Sequence, residues 1–138
     1  MSVKPLVHDP MFLAGKSEAA TPADRQVITD LVDTLQAHID GCVGMAANMI
    51  GVKKNIIVVS MGFMIMPMIN AKIISRKGPY PTKEGCLSLL GDPRPTTRYK
   101  EIEVEYLDVN FKPKKDKFTD YVAQIIQHEL DHVNGVLI

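Results

Sequence analysis

A five-residue segment near the C-terminus carries the residue types of a metal site. His128 and His132 are four residues apart in His128-Glu-Leu-Asp-His132. On an α-helix, positions four apart differ by about 40° around the axis, so both imidazoles project from one face. Two neutral imidazoles on one face form a clamp for a divalent metal ion, and Glu129 can reach a bound water without being a ligand. The segment therefore predicts a hydrolytic metal centre.

A catalytic centre of this kind needs a third protein ligand and one open position. Four side chains qualify by type, namely Cys86, Glu84, His8 and His38. Cys86 lies in a short segment where a loop or a strand end can present a thiolate. His38 falls at the end of a predicted helix and His8 lies near the N-terminus. These residues alone leave the choice open, with Cys86 first and Glu84 next.

Two amphipathic segments predict helices on either side of the middle of the chain. The first begins after Thr21, with proline at its first position, and Gly41 ends it. Its apolar residues recur at three- and four-residue spacing: Val27, Ile28, Leu31, Leu35 and Ile39. The second contains the two histidines and ends at Gly135. Its buried stripe comprises Val122, Ile125, Ile126 and Val133.

Strand patterns dominate the residues between these helices. Residues 56–60 form a continuous run whose first four members are apolar and β-branched, which predicts a strand buried on both faces. Residues 63–69 and 72–75 predict further strands, and residues 102–106 alternate like an antiparallel strand with one wet face. Helix, strands and helix without regular alternation predict an α+β fold, with mostly antiparallel sheets packed around the C-terminal metal-binding helix. We expect a single domain over residues 1–138.

Other segments predict irregular chain. Four prolines mark loops that flank residues 84–90, namely Pro79, Pro81, Pro93 and Pro95. Residues 44–51 are apolar and bracketed by glycines, which indicates extended chain passing close to another group. The basic cluster at residues 112–117 is interpreted as a solvated turn.

The composition is that of an ordinary globular protein. Sixteen basic residues balance sixteen acidic ones in 138 residues, so the formal charge of zero disfavours direct binding to nucleic acid or to an anionic membrane. Aromatic residues make up 6% and tryptophan is absent, which disfavours a stacking platform. The N-terminus lacks a signal-type apolar run, and the two cysteines, Cys42 and Cys86, form at most one disulfide. We therefore expect a cytoplasmic protein.

Three segments together resemble the peptide deformylase family. Glu84-Gly-Cys-Leu-Ser88 and Gln127-His-Glu-Leu-Asp-His132 match two of the family's motifs in full. Gly44-Met-Ala-Ala-Asn-Met-Ile-Gly51 is similar to the family's first motif, Gly-x-Gly-Leu-Ala-Ala-Pro-Gln-Ile-Gly. Arg98 matches the arginine that follows the cysteine motif. The resemblance covers nearly the whole chain.

The resemblance implies a hydrolase that removes the formyl group from the formyl-methionine end of newly made peptides. In such an enzyme Cys86, His128 and His132 would hold the metal, with water in the fourth place. Glu129 would take a proton from that water and pass it to the leaving nitrogen. The implied physiological metal is iron(II), with zinc(II), nickel(II) or cobalt(II) as other occupants. The ligand types alone suit zinc at least as well.

The resemblance also implies groups that would contact the substrate. The backbone N–H of Leu87 would help to bind the oxyanion, and Gly44 and Met49 occupy positions of the family's first motif. The pocket for the methionine side chain would be lined by four residues: Val43, Gly44, Ile125 and His128. Val43 and Ile125 are equally well explained as core residues.

The first motif departs from the family pattern at three positions. Cys42 stands in place of its first glycine, Asn48 in place of proline and Met49 in place of glutamine. That glutamine donates a hydrogen bond to the formyl oxygen in the family, whereas a thioether cannot donate. We expect the amide of Asn48 to point away from the metal, because neighbours on an extended chain point to opposite faces. The chain stops at Ile138, so ribosome docking through the tail of longer members is not implied.

Three hypotheses about function follow. The first is a peptide deformylase of reduced or altered efficiency. The second is a deformylase-like protein that keeps the metal but only binds formyl-peptides or is structural, which Met49 favours and the intact Glu129 opposes. The third is a zinc peptidase that cleaves internal peptide bonds, which leaves the cysteine motif unexplained.

Overall fold

Five strands form one antiparallel sheet in chain order. The computed structural model of the chain describes residues 3–62, 64–84 and 93–136. The strands are β1 (Gly44–Ala46), β2 (Ile56–Ser60), β3 (Ile65–Glu84), β4 (Arg94–Leu107) and β5 (Pro113–Thr119). Each pairs with the next in the order β1-β2-β3-β4-β5. The predicted α+β fold with a mostly antiparallel sheet is confirmed.

The helices are α1 (Pro10–Leu13), α2 (Arg25–Ala37) and α3 (Asp120–Val133). A 3₁₀ turn, Pro22–Asp24, leads into α2, so the predicted start after Thr21 is confirmed. The end of α2 at Ala37 comes four residues before the predicted stop at Gly41. No helix among the described residues is long and apolar enough to cross a membrane.

The two sides of the sheet carry two separate apolar clusters. On β2, Ile57 and Val59 join the cluster that contains α3, whereas Ile56 and Val58 join the cluster that contains α2. The strand is therefore buried on both faces, as its uninterrupted β-branched run predicts. From α3 the first cluster receives Ala123, Ile125, Ile126, Leu130 and Val133. Val122 packs against this cluster but is only half-buried.

The loops predicted from the prolines are largely wrong. Residues 65–84 form one long strand, in which Pro79 and Pro81 pair with β4, and Pro95 lies within β4 itself. Strand β2 pairs only with Ile65–Ile69 of β3, so the later part of β3 has one open edge. Proline is tolerated there because the N–H that it lacks can face this open edge.

The basic cluster at residues 112–117 is also not a turn, because most of it lies in β5. In the register with β4, Lys115 is opposite Glu105 and Lys117 is opposite Glu103. Opposite charges on facing positions stabilise an antiparallel pair. These lysines therefore have a structural role on the sheet edge, where lysine also discourages pairing with another chain.

Gln127 attaches α3 to β4. Its Oε1 accepts a hydrogen bond from the N–H of Tyr99, and its Nε2 donates to the carbonyl oxygen of Tyr99, both at 2.8 Å. Nε2 also donates to the carbonyl oxygen of Ala123 at 3.0 Å. Because the Gln127 side chain is buried, these bonds fix the position of α3 along β4. They thereby also fix the position of His128, the next residue on the helix.

We expect Gln127→Leu to lower the free energy of unfolding by about 1–3 kcal/mol, since it leaves two partly buried backbone groups of Tyr99 without their partners. Urea unfolding of the metal-free proteins measures this change. Gln36→Leu, on the exposed side of α2, is the matched control and should change stability little. Equal effects of the two substitutions would contradict the anchoring role.

Candidate metal and active site

Helix α3 brings two imidazoles together inside the protein. The Nε2 atoms of His128 and His132 lie 3.1 Å apart, and both rings are buried. Burial lowers the pKa of His132 to about 3, so its ring is neutral and can act as a ligand. Two nitrogens at 2.0–2.1 Å from one tetrahedral ion would be about 3.3 Å apart. The observed separation fits a shared divalent ion.

The carboxylate of Glu84 orients His128. Its Oε1 lies 2.7 Å from Nδ1 of His128. Burial alone would raise the pKa of Glu84, but hydrogen bonds from His128, Arg98 and Gln124 outweigh burial and lower it to about 2. An ionised carboxylate can only accept, so Nδ1 of His128 carries the proton and donates. The Nε2 atom of His128 is then an acceptor directed at His132, as metal ligation requires.

Arg98 joins Glu84 to the metal-binding helix. Its guanidinium donates to the carboxylate of Glu84 at 2.6 and 3.0 Å and to the carboxylate of Asp131 at 2.5 Å. Because Arg98 is buried, the two carboxylates compensate its charge. The arginine that follows the cysteine motif and the aspartate of the histidine motif therefore belong to one ion-pair network.

Glu129 is a buried carboxyl group. Burial raises its pKa to about 7, and its Oε1 has no hydrogen-bond partner within the described residues. A Cβ built on Gly44 would lie 3.0 Å from Oε2 of Glu129. The carboxyl group therefore lies against the backbone of β1 and has acceptor capacity left for another group.

The predicted third ligand lies outside the described part of the chain. Cys86, and Leu87 with its proposed backbone donor, lie in the undescribed stretch 85–92. Among the described residues, no three ligand-type side chains are placed so that together they could hold a metal ion. The carboxylate of Glu84 already accepts hydrogen bonds from three side chains, which makes it a poor replacement ligand.

The two remaining ligand candidates, His38 and His8, do not belong to any group of potential metal ligands among the described residues. His38 directly follows α2 and is half-buried. Its Nδ1 lies 2.9 Å from the carbonyl oxygen of Thr34, in the last turn of that helix. His38 therefore follows the end of the helix, as predicted, and its ring bonds back to the last turn of that helix. His8 is exposed and is not part of a described metal-ligand cluster.

The first motif folds differently from the extended chain that was expected. Gly44–Ala46 is strand β1, but Ala47–Ile50 is a 3₁₀ turn. The amide nitrogen of Asn48 donates to the carbonyl oxygen of His132 at 2.9 Å, so the turn is bonded to the metal-binding helix. The sulfur of Met49 accepts a hydrogen bond from the N–H of Ala46 at 3.4 Å. Met49 thus occupies the glutamine position without adding a donor.

Three of the proposed pocket residues lie together. A Cβ on Gly44 would be 2.7 Å from Cγ2 of Ile125, which places β1 directly against α3, where His128 follows Ile125 by one turn. Val43 precedes β1 and is 36% exposed, whereas Ile125 is buried in the core around α3. Val43 is thus better placed than Ile125 to meet a ligand from solvent.

Sequence reasoning missed two contributors to this site. Glu84 was considered as a ligand and not as the partner of His128, although its place in the cysteine motif was a signal. Gln124 donates to Oε2 of Glu84 at 2.8 Å. No sequence pattern pointed to Gln124.

Comparison with known proteins identifies the family. The family model for polypeptide deformylase matches residues 6–138. The chain belongs to the polypeptide deformylase family. A peptide deformylase of Clostridium beijerinckii is 56% identical over 136 residues, which cover 99% of both chains.

Solved deformylase structures share the fold. A peptide deformylase from Legionella pneumophila superposes with a TM-score of 0.88 at 28% identity, over 98% of this chain and 83% of that one. A peptide deformylase from Synechococcus elongatus, in complex with actinonin, gives a TM-score of 0.86 at 31% identity over 98% and 75% of the chains. These similarities confirm the fold class and the resemblance predicted from the three motifs.

We expect Gly44→Ala to lower the rate of formyl-Met-Ala hydrolysis by about 10- to 100-fold. The added methyl group would displace Ile125 and Glu129, and small misplacements of reacting groups are costly. Gly41→Ala is the matched control, since a Cβ there meets nothing within 4 Å. Equal rates for the two metal-loaded variants would show that the close packing of β1 against Glu129 is unimportant.

Proposed function

We propose that this deformylase holds its metal with Cys86, His128 and His132 and uses Glu129 as the base. The reaction removes the formyl group from the N-terminal formyl-methionine of newly made peptides. One observation supports the assignment of roles: two imidazole nitrogens converge on a helix whose buried Glu129 interacts electrostatically with His128 and has one carboxyl oxygen without a hydrogen-bond partner among the described residues. A purely structural metal site has no need of such a group.

The donor set fits a divalent metal. The two histidines are buried and their nitrogens converge, and the sequence supplies a cysteine directly after Glu84-Gly85. When bound, the metal polarises the carbonyl group and lowers the pKa of a coordinated water to about 7. We propose iron(II), with zinc(II), nickel(II) or cobalt(II) as alternative occupants. Metal analysis of protein purified without oxygen distinguishes them.

Glu129 moves the proton in this scheme. Its carboxylate takes a proton from the attacking water and gives that proton to the nitrogen of the departing amine. A pKa raised by burial suits a group that must both accept and release a proton near neutral pH. Gly44 permits the close approach, since a side chain on β1 would displace the carboxyl group.

The proposed site has fewer hydrogen-bond donors to the oxyanion than the family pattern provides. We propose that the backbone N–H of Leu87 contributes one donor. Met49 contributes none, because its sulfur can only accept and is already bonded to Ala46. The amide nitrogen of Asn48 donates one of its two hydrogens to the carbonyl oxygen of His132, which directs the amide towards the helix backbone, and we propose that it does not replace the missing donor. We therefore propose a turnover below that of a deformylase with glutamine in this position.

The substrate side chain is proposed to lie beside β1. Val43, Gly44, Ile125 and His128 would contact the methionine side chain, with Val43 on the exposed rim. Since the substrate is made by ribosomes, we place the enzyme in the cytoplasm, without direct contact to nucleic acid or membrane. The chain supplies no observation that favours ribosome docking.

Glu129→Gln should bind metal like the parent, since Glu129 is not a ligand, and should lose about 100- to 10,000-fold in turnover, since an amide cannot shuttle a proton. Metal content and formyl-Met-Ala hydrolysis are measured on the same samples. A variant with close to parental turnover would refute the assigned role. A parent without turnover when loaded with iron under anaerobic conditions would favour the alternative of a binding protein.

Met49→Gln should raise turnover on formyl-Met peptides by about tenfold or more, because one preorganised oxyanion donor contributes about 100- to 1000-fold. Gln is unbranched like Met, and its amide oxygen can replace the sulfur as acceptor for the N–H of Ala46. Met49→Leu is the control, since it changes the side chain without adding a donor. No gain in a folded, metal-loaded Met49→Gln protein would contradict the proposed deficit.

A further inference from the structure

Gln124 contacts the carboxylate that orients the first histidine ligand. It lies on α3, one turn before His128, and its Nε2 donates to Oε2 of Glu84 at 2.8 Å. The other oxygen of Glu84, Oε1, lies 2.7 Å from Nδ1 of His128 and 2.6 Å from Nη2 of Arg98. Both carboxylate oxygens contact Arg98, but Gln124 donates only to Oε2 and His128 only to Oε1.

The amide of Gln124 is itself oriented. The hydroxyl of Tyr80 donates to its Oε1 at 3.4 Å, so Nε2 is the atom that faces Glu84. Tyr80 and Glu84 both lie on β3 and are separated by an even number of residues, so they project from the same face of the strand. Gln124 thus joins α3 to the end of β3. The last residue of that strand, Glu84, is two positions before Cys86 in the sequence.

We propose that Gln124 is a positioning residue of the metal centre. It holds Oε2 of Glu84 so that Oε1 remains on the Nδ1–H of His128, which keeps Nε2 of His128 available to the metal. This inference rests on the metal ligands assigned under the proposed function. It concerns a residue outside all three deformylase motifs.

Arg98 does not make Gln124 redundant. The Nε atom of Arg98 is 3.0 Å from both oxygens of Glu84, whereas its Nη2 contacts only Oε1. Without Gln124, Oε2 would keep one contact within the described residues, from the Nε of Arg98, whose single N–H is shared with Oε1. A buried carboxylate oxygen that loses a donor is costly, so the carboxylate would turn to take more of the Arg98 N–H and weaken its bond to His128.

The test uses the full chain with Gln124→Met and Gln124→Ala. Methionine keeps the unbranched shape without a donor, and alanine favours the helix, so both variants should fold. Gln26→Met is the matched control, because Gln26 also donates to a carboxylate, that of Asp30 on α2, but far along the chain from the site. Zinc affinity is measured by competition with a chromophoric chelator, and ¹⁵N NMR reports the tautomer of His128 in the metal-free protein.

Direct partners of a metal-binding histidine typically contribute 10- to 100-fold in affinity, so Gln124, one bond further out, should contribute about three- to tenfold. Both Gln124 variants should weaken zinc binding by this amount and shift the His128 signals away from a single Nδ1–H tautomer. Gln26→Met should change neither. Unchanged zinc affinity, or weaker binding with parental His128 signals, would overturn the positioning role. His128→Ala tests the ligand assignment separately: if it binds zinc like the parent, the assigned metal site is wrong.

Discussion

Two neutral imidazoles with ring nitrogens 3.1 Å apart, in the buried interface between a helix and a sheet, are the constraint on which the rest of the structure depends. For both rings to ligate one ion, each must be uncharged and turned so that its Nε2 lone pair points at that ion. Burial keeps His132 neutral, and the ionised Glu84 keeps the proton of His128 on Nδ1. The remaining polar contacts of α3 serve this arrangement or fix the position of the helix.

The free-energy cost of burying the charge of Glu84 explains why the ion-pair network extends beyond the histidines. An ionised carboxylate in the interior requires a compensating charge, which Arg98 supplies, and the charge of Arg98 is shared with Asp131 on α3. Gln127 beside His128 bonds α3 to the backbone of β4, the strand that carries Arg98. The helix is therefore attached to β4 by the ion pair between Asp131 and Arg98 and, one turn earlier on α3, by the neutral hydrogen bonds of Gln127.

The elements defined by local pattern could be predicted from the sequence, and those that depend on pairing could not. The apolar spacing of α3 and the β-branched run of β2 determine their structure almost alone. By local pattern the prolines of β3 and the lysines of β5 predict loops and a turn, whereas their place in a strand depends on which strand edge is open and which charge lies opposite. Both features are set by the pairing of strands in the sheet and cannot be read from one segment of the sequence. Similarly, residue types identified His128 and His132, whereas the bond from Glu84 to His128 joins positions 44 residues apart.

The departures in the first motif form one local arrangement and are not independent losses. Asn48 provides a side-chain amide that proline lacks, and this amide holds the carbonyl oxygen of His132. Met49 provides an acceptor, which satisfies the buried N–H of Ala46 at the start of the 3₁₀ turn. The segment thus has bonds that attach it to α3 and to itself, while under the proposed function it lacks a donor directed at the substrate. Since hydrogen bonds within a buried turn stabilise the ground state of the protein and an oxyanion donor stabilises only the transition state, we expect this exchange to favour a rigid site over a fast one.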